Sequence, residues 1–337
     1  MTRRIRAFSR PRPTSVETLQ TCFQHRPLLR AGPRLNARVI GVLAKAQALY
    51  GVEIHGFVVL SNHLHLNATY GDPKQMADLH CFLCANLAKE AGRLRDWQGC
   101  MFPERYRHVE ISPEPEAEWA RMKYLLSQGC KEGLVASPLD WPGASSTWAL
   151  VSGEPLIGAW VDRTALRRAR ERGEEVSEAA FTETLEVKLS PIPSLAHLSA
   201  EQYRQEMRVL VRQIEEETAA RHRVEGTRPV GAARVSAVDP HDRPAEIPRR
   251  PGPWCHAWDP EVRASMRRAL TTIYAYYRAA AQELKAGNRQ ARFPVHTFPP
   301  GLPFVKESAG SLELDRKRQH GRKRPAPSLE SEPLDPG

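Results

Sequence analysis

No apolar run in this 337-residue chain approaches the roughly 20 residues that a membrane-crossing helix needs, which argues against a membrane protein. The opening residues, Met1-Thr-Arg-Arg-Ile-Arg, lead into no apolar core of the signal-peptide kind, so a cytoplasmic location is expected. Cysteine is sparse. The six residues Cys22, Cys81, Cys84, Cys100, Cys130 and Cys255 are scattered along a chain too long for a disulfide-stapled domain, and reduced thiols are expected. Acid is short relative to base, with 39 Asp and Glu against 49 Lys and Arg, giving a net charge of +10. Such an excess attracts polyanions by counterion release and long-range field, nucleic acid first and an anionic membrane second.

What the chain does have is proline, 28 residues of it, with a mean hydropathy of -0.50, so long irregular stretches are expected beside an ordinary hydrophobic content of 41%. Helical spacing of Val39, Ile40, Val42, Leu43, Ala46 and Leu49 predicts an amphipathic helix over 35–50, stopped by Gly51. Two β-rich runs, 52–60 and 63–70, flank the turn-like Ser61-Asn62 and read as a hairpin. A second helix is predicted over 74–94, a short strand over 107–111, and a helix from Ser112 to about Lys131, with Ser112 as its cap. The first strand is sought at 17–24. Alternation of strands and helices without a parallel-sheet rhythm favours an α+β layer.

The predicted organisation is a catalytic domain over 1–150, a charged helical and proline-rich region over 151–252, and a helical extension over 253–305. A basic disordered tail over 306–337 completes it. Within these, helices are predicted from Ala200 to about Arg223 and inside 254–284, with a docking segment beginning at Arg292. No internal repeat is evident.

Side chains on a strand alternate faces, so His63 and His65 project together with Asn67 and Thr69, while Leu64 and Leu66 face the core. Two imidazoles one pleat apart can chelate one cation, yet with 12 histidines chance alone supplies about 0.4 such pairs. In the helix after Ser112 the apolar stripe is Trp119, Met122, Leu125 and Leu126; Tyr124 and Gln128 lie one turn apart on the other side. A phenol can attack phosphorus while an amide oxygen helps hold a metal.

Together these stretches resemble the HUH-type single-tyrosine transposases, which move insertion sequences as single-stranded DNA, and their REP-associated relatives. The resemblance is carried by Tyr50-Gly-Val-Glu-Ile-His-Gly-Phe-Val-Val-Leu-Ser-Asn-His-Leu-His-Leu, by Lys123-Tyr-Leu-Leu-Ser-Gln-Gly-Cys-Lys-Glu-Gly-Leu-Val, and by Asp140-Trp-Pro-Gly-Ala-Ser-Ser. It implies a ferredoxin-like antiparallel sheet with packed helices, His63 and His65 as paired metal ligands, Gln128 as third ligand and Tyr124 as nucleophile. It further implies a divalent cofactor, Mg²⁺ or Mn²⁺, a single-stranded or hairpin DNA partner and association with the nucleoid; a homodimer stays open. Arg105, Arg107, Arg121, Lys123 and Lys131 surround the site in sequence and are expected as a group to meet phosphates. A catalytically inactive relative that binds structured DNA or RNA is the alternative reading.

Other motifs are set lower. His80 with Cys81 and Cys84 looks like half a zinc site, but its helical spacing reads as packing. Tyr106 is a rival nucleophile without a helical amide partner. Tyr274, Tyr276 and Tyr277 could stack nucleobases, with a core role preferred.

Overall fold

The computed structural model describes residues 5–10, 13–245, 252–295 and 297–300; the basic tail expected at 306–337 lies outside the described residues. In chain order the first elements are β1 (Thr14–Thr21), α1 (Pro33–Tyr50), β2 (Glu53–Leu60), β3 (His63–Tyr70), α2 (Pro73–Arg95) and β4 (Arg107–Ile111). Next come α3 (Pro115–Leu126), α4 (Gln128–Lys131), α5 (Thr147–Ser152), β5 (Leu156–Val161), α6 (Arg163–Glu171) and β6 (Thr182–Val187). The chain continues through α7 (Ala200–Glu225), α8 (Ala232–Ala237), β7 (Cys255–His256) and α9 (Pro260–Lys285).

The sheet runs β2-β3-β1-β4-β7, antiparallel except for the β4–β7 pair. With β-α-β-β-α-β connectivity and β1 between β3 and β4, this is the split β-α-β arrangement of ferredoxin-like folds, and the α+β expectation holds. Local chemistry sets the boundaries. Gly51 closes α1 at φ +62, a left-handed position that glycine takes without steric cost, and the Asp72 side chain caps α2 by accepting from the Gln75 amide at 2.8 Å.

Leu64, Leu66, Ala68 and Tyr70 of β3 pack with Phe57 and Val59 of β2 against α1 and α2, forming one core. On the opposite side Val58 and Leu60 meet Met122, Leu125 and Leu126 of α3 and a stripe from α7, forming a second. The histidine-bearing face of β3 therefore looks toward α3.

Two boundaries differ from expectation. β1 begins at Thr14 rather than at residue 17 and ends before a short helical turn, Phe23–His25, in which Gln24 and His25 have positive φ. Its buried Thr14, Ser15, Glu17, Thr18 and Gln20 hide the usual alternation, because polar neighbours satisfy them in place of apolar contacts. Ser112 does not cap α3; its amide donates to the His256 carbonyl at 2.8 Å, extending the β4–β7 ladder, and Pro115 opens the helix.

After residue 150 the chain adds the β5–β6 hairpin against α1, which periodicity had not indicated, and α7, which fills the second core with Met207, Leu210, Val211 and Ile214. Tyr274 is buried on α9 and stacks on Trp254, whereas Tyr276 is exposed. Phe293 and Phe298, in the expected docking segment, lie against α9: Tyr277 donates to the Phe298 carbonyl at 2.6 Å and packs edge-on to Phe293.

Candidate functional site

β3 delivers the imidazoles. Its pleat points His63 and His65 to one side, and the rings lie 5.0 Å apart between centroids. Each ring has one nitrogen engaged with an oxygen. His63 Nδ1 contacts Asn62 Oδ1 at 2.6 Å, and His65 Nδ1 contacts Glu17 Oε1 at 2.7 Å. An amide or carboxylate oxygen only accepts, so each Nδ1 carries a hydrogen, and Nε2 is the nitrogen that holds the lone pair whenever the ring is neutral. Burial pushes the His63 pKa well below the usual histidine value, with His65 and His25 adding to the effect, so this ring is neutral at pH 7.

α3 delivers the phenol. Burial of Met122, Leu125 and Leu126 fixes its rotation, and the Tyr124 ring then faces His65 at 5.9 Å, edge-on. The Arg121 guanidinium lies 4.5 Å from the Tyr124 ring centroid, and the Lys131 ammonium lies 4.5 Å from it as well.

Gln128 begins α4 one turn further on and is 2% exposed; its amide nitrogen donates to the Tyr124 carbonyl at 2.8 Å, which orients the amide. Behind it Gly129 leaves no room for a side chain, since a Cβ there would sit 2.9 Å from the Trp141 ring and 3.0 Å from Val135. Trp141 is anchored by its indole donating to the Val59 carbonyl at 2.9 Å. The Asp140-Trp-Pro-Gly-Ala-Ser-Ser segment covers the edge of β2, with Ala144 and Ser146 exchanging backbone hydrogen bonds with Val59 and Phe57. That motif is thus a clamp holding the α3–α4 pair to the sheet.

Glu17 is the site residue that sequence reading missed. It sits in the middle of β1, paired in register with Asn67 of β3 and Val109 of β4, and it is 3% exposed. One oxygen takes the His65 hydrogen bond and the other accepts from Arg121. Burial alone would raise its pKa, but the His65 hydrogen bond and the Arg121 charge outweigh burial and hold it below the usual carboxylate range. The available signal was a carboxylate at a central-strand position, legible only once the strand register is known.

The basic group divides. Arg121 and Lys131 join the tyrosine, and Arg107, opposite Leu19 and hence on the His65 face by register, is exposed beside the site. Lys123 instead pairs with Glu217 of α7 at 2.5 Å, and Arg105 is exposed ahead of β4.

The rivals sit elsewhere. Tyr106 is buried and stacks on His80 at 4.1 Å, Cys84 contacts Gln20, and Cys81 is exposed, so the His80–Cys81–Cys84 set does not converge. Among the described residues no cluster of three His, Cys, Asp or Glu could hold a metal by itself. A histidine pair completed by an amide, as expected from the sequence, would need no such cluster. His63 and His65 present two imidazoles on one face of β3, and such a pair is donor chemistry that suits a divalent ion.

No family model matches the chain, and no curated protein matches it. Among solved structures it is similar to a REP-associated tyrosine transposase bound to a REP hairpin, at 19% identity over 46% of this chain and 90% of that one, with a TM-score of 0.37. It is also similar to a putative transposase from Deinococcus radiodurans R1, at 13% identity over 34% of this chain and 89% of that one, with a TM-score of 0.26.

Proposed function

We propose that the chain is a transposase-like enzyme that nicks and rejoins single-stranded DNA beside a hairpin, with Tyr124 as nucleophile. The observation that carries this reading is the approach of the Tyr124 ring to His65, which lies beside His63 with both Nδ1 atoms engaged and the Nε2 side of each ring turned away from those partners. His63, His65 and Gln128 would hold Mg²⁺ or Mn²⁺. When bound, such an ion supplies Lewis-acid polarisation of the scissile phosphate.

The rest of the chemistry belongs to the chain. The Tyr124 hydroxyl oxygen attacks phosphorus, the bond from phosphorus to the 3′ oxygen breaks, and the phenol proton passes to water. The departing 3′ oxygen takes up a proton, leaving a 5′-phosphotyrosine and a free 3′-hydroxyl. One phosphodiester replaces another, so rejoining needs no ATP. Arg121 and Lys131, both against the phenol ring, offset the negative charge that gathers on the phosphoryl group in the transition state.

A hairpin stem offers phosphates at regular spacing, and a basic groove of about 590 Å³ between α2 and α6 suits them. Lys89, Arg93 and Arg170 line it and make no side-chain hydrogen bond or ion pair among the described residues. No aromatic side chain lines it, so it offers charge to a backbone and no platform for unstacked bases.

The test is covalent trapping. Purified protein with Mn²⁺ and a panel of labelled hairpin oligonucleotides carrying single-stranded flanks is expected to give an adduct stable to denaturant, lost in Tyr124→Phe and in EDTA. Absence of any adduct, with salt-sensitive binding that survives EDTA and His63→Ala, would leave a non-catalytic nucleic-acid binder.

A further inference from the structure

Glu17 is an odd residue for the centre of a sheet. A carboxylate there loses its hydration, and a buried ion triad contributes little net stability compared with apolar residues of similar volume. It nonetheless occupies the central strand, with both oxygens committed: Oε1 to His65 Nδ1 at 2.7 Å and Oε2 to Arg121. Arg121 in turn covers the Tyr124 ring, and Tyr124 returns to His65 at 5.9 Å. The four side chains close a ring that joins β3, β1 and α3.

The geometry points to Glu17 as a positioning residue that sets which nitrogen of His65 is bare and, through Arg121, couples that choice to the placement of Tyr124. This rests on the reading that His65 is a metal ligand. An imidazole is symmetric enough to offer either nitrogen, and only an acceptor held at one of them selects the other. His63 obtains its acceptor from the adjacent Asn62, a local contact inside the hairpin turn. His65 lies mid-strand with no such neighbour, and its acceptor comes across the sheet from a residue 48 positions earlier. The second oxygen serves a different purpose. By binding Arg121 it draws α3 toward β1, so the strand that fixes the ligand also fixes the nucleophile's helix.

The test begins with the metal-free full-length protein, ¹⁵N-labelled at histidine. Long-range nitrogen–proton correlation is expected to show His65 as the Nδ1–H tautomer at neutral pH; an Nε2–H tautomer in the wild type overturns the proposal. Glu17→Leu, which removes the acceptor, is expected to move His65 toward Nε2–H and to weaken Mn²⁺ binding, measured by titration calorimetry, by about 10–100-fold. Glu17→Gln keeps an acceptor oxygen and is expected to restore the tautomer, which a purely space-filling role would not require. If a folded Glu17→Leu keeps both the tautomer and the Mn²⁺ affinity, the proposal is wrong. Arg121→Ala is expected to leave the His65 tautomer unchanged while lowering the rate of adduct formation. A Glu17-dependent tautomer in a protein that forms no Tyr124 adduct would sink the proposed enzymatic function and leave the positioning role standing.

Discussion

His80 and His65 are both buried histidines, and their surroundings give them opposite characters. His65 is tied to a carboxylate, whereas His80, on the other side of the sheet, stacks on Tyr106 and faces the Tyr70 hydroxyl at 3.5 Å. Burial lowers the His80 pKa from 6.5 to about 3, with Arg6 and His108 adding repulsion. The unfolded chain therefore takes up a proton near pH 6.5 that the folded chain refuses until about pH 3, so stability present above pH 6.5 drains away as the pH falls between those values. The slope is about 1.4 kcal/mol per pH unit from this residue alone. Urea titrations at pH 7 and pH 5 are expected to show a larger loss in the wild type than in His80→Phe, by about 2 kcal/mol; equal losses would contradict a buried neutral imidazole. In the sequence His80 stood beside two cysteines as half a zinc site whose helical spacing read as packing, and helical phase does turn it inward while Cys81 remains exposed.

At the scale of elements, α1 and the β5–β6 hairpin meet through glycine. A Cβ on Gly41 would lie 2.3 Å from the Ala159 carbonyl carbon, and one on Gly158 would lie 2.2 Å from the Gly41 nitrogen. Backbone thus packs on backbone, and neither side can yield by changing a rotamer. Gly41→Ala is expected to destabilise the fold by about 1–3 kcal/mol or more through overpacking, despite alanine's better helix propensity. Thermal denaturation would check the sign, since a stabilised variant would mean that the hairpin moves away freely. Arg163 ties the same hairpin region to α2 through a two-pronged pair with Glu90, at 2.5 and 2.6 Å. These contacts explain why the hairpin was not foreseen. β5 and β6 carry few buried positions, and their pairing depends on a helix more than a hundred residues earlier.

Across the whole molecule, the segment after residue 150 completes the body that carries the site. α7 supplies much of the core behind α3, and Leu210 is fully buried there among Val58, Met122 and Leu125. Leu210→Ala is expected to cost about 2–5 kcal/mol, read by chemical denaturation, and to lower adduct formation with it because α3 carries Tyr124. A fragment ending at residue 150 would expose this core and is expected to aggregate. Charge acts at the same scale. Replacing Lys89, Arg93 and Arg170 together by alanine is expected to weaken hairpin binding at least tenfold and to reduce the salt slope by about 2–3, since each phosphate contact contributes about 0.9. An unchanged slope would remove the α2–α6 groove from the interface.

The amino-acid sequence by itself determined the hairpin bearing His63 and His65, the helix bearing Tyr124, the left-handed stop at Gly51 and the excess of positive charge. Each of these is encoded within about a dozen consecutive residues, by periodicity, turn chemistry or composition. Tertiary structure alone decided that Glu17 reaches His65, that Lys123 turns to Glu217 while Lys131 turns to Tyr124, and that α7 backs the site. Those facts depend on strand register and helix packing between residues far apart in the chain, and no local pattern carries that information.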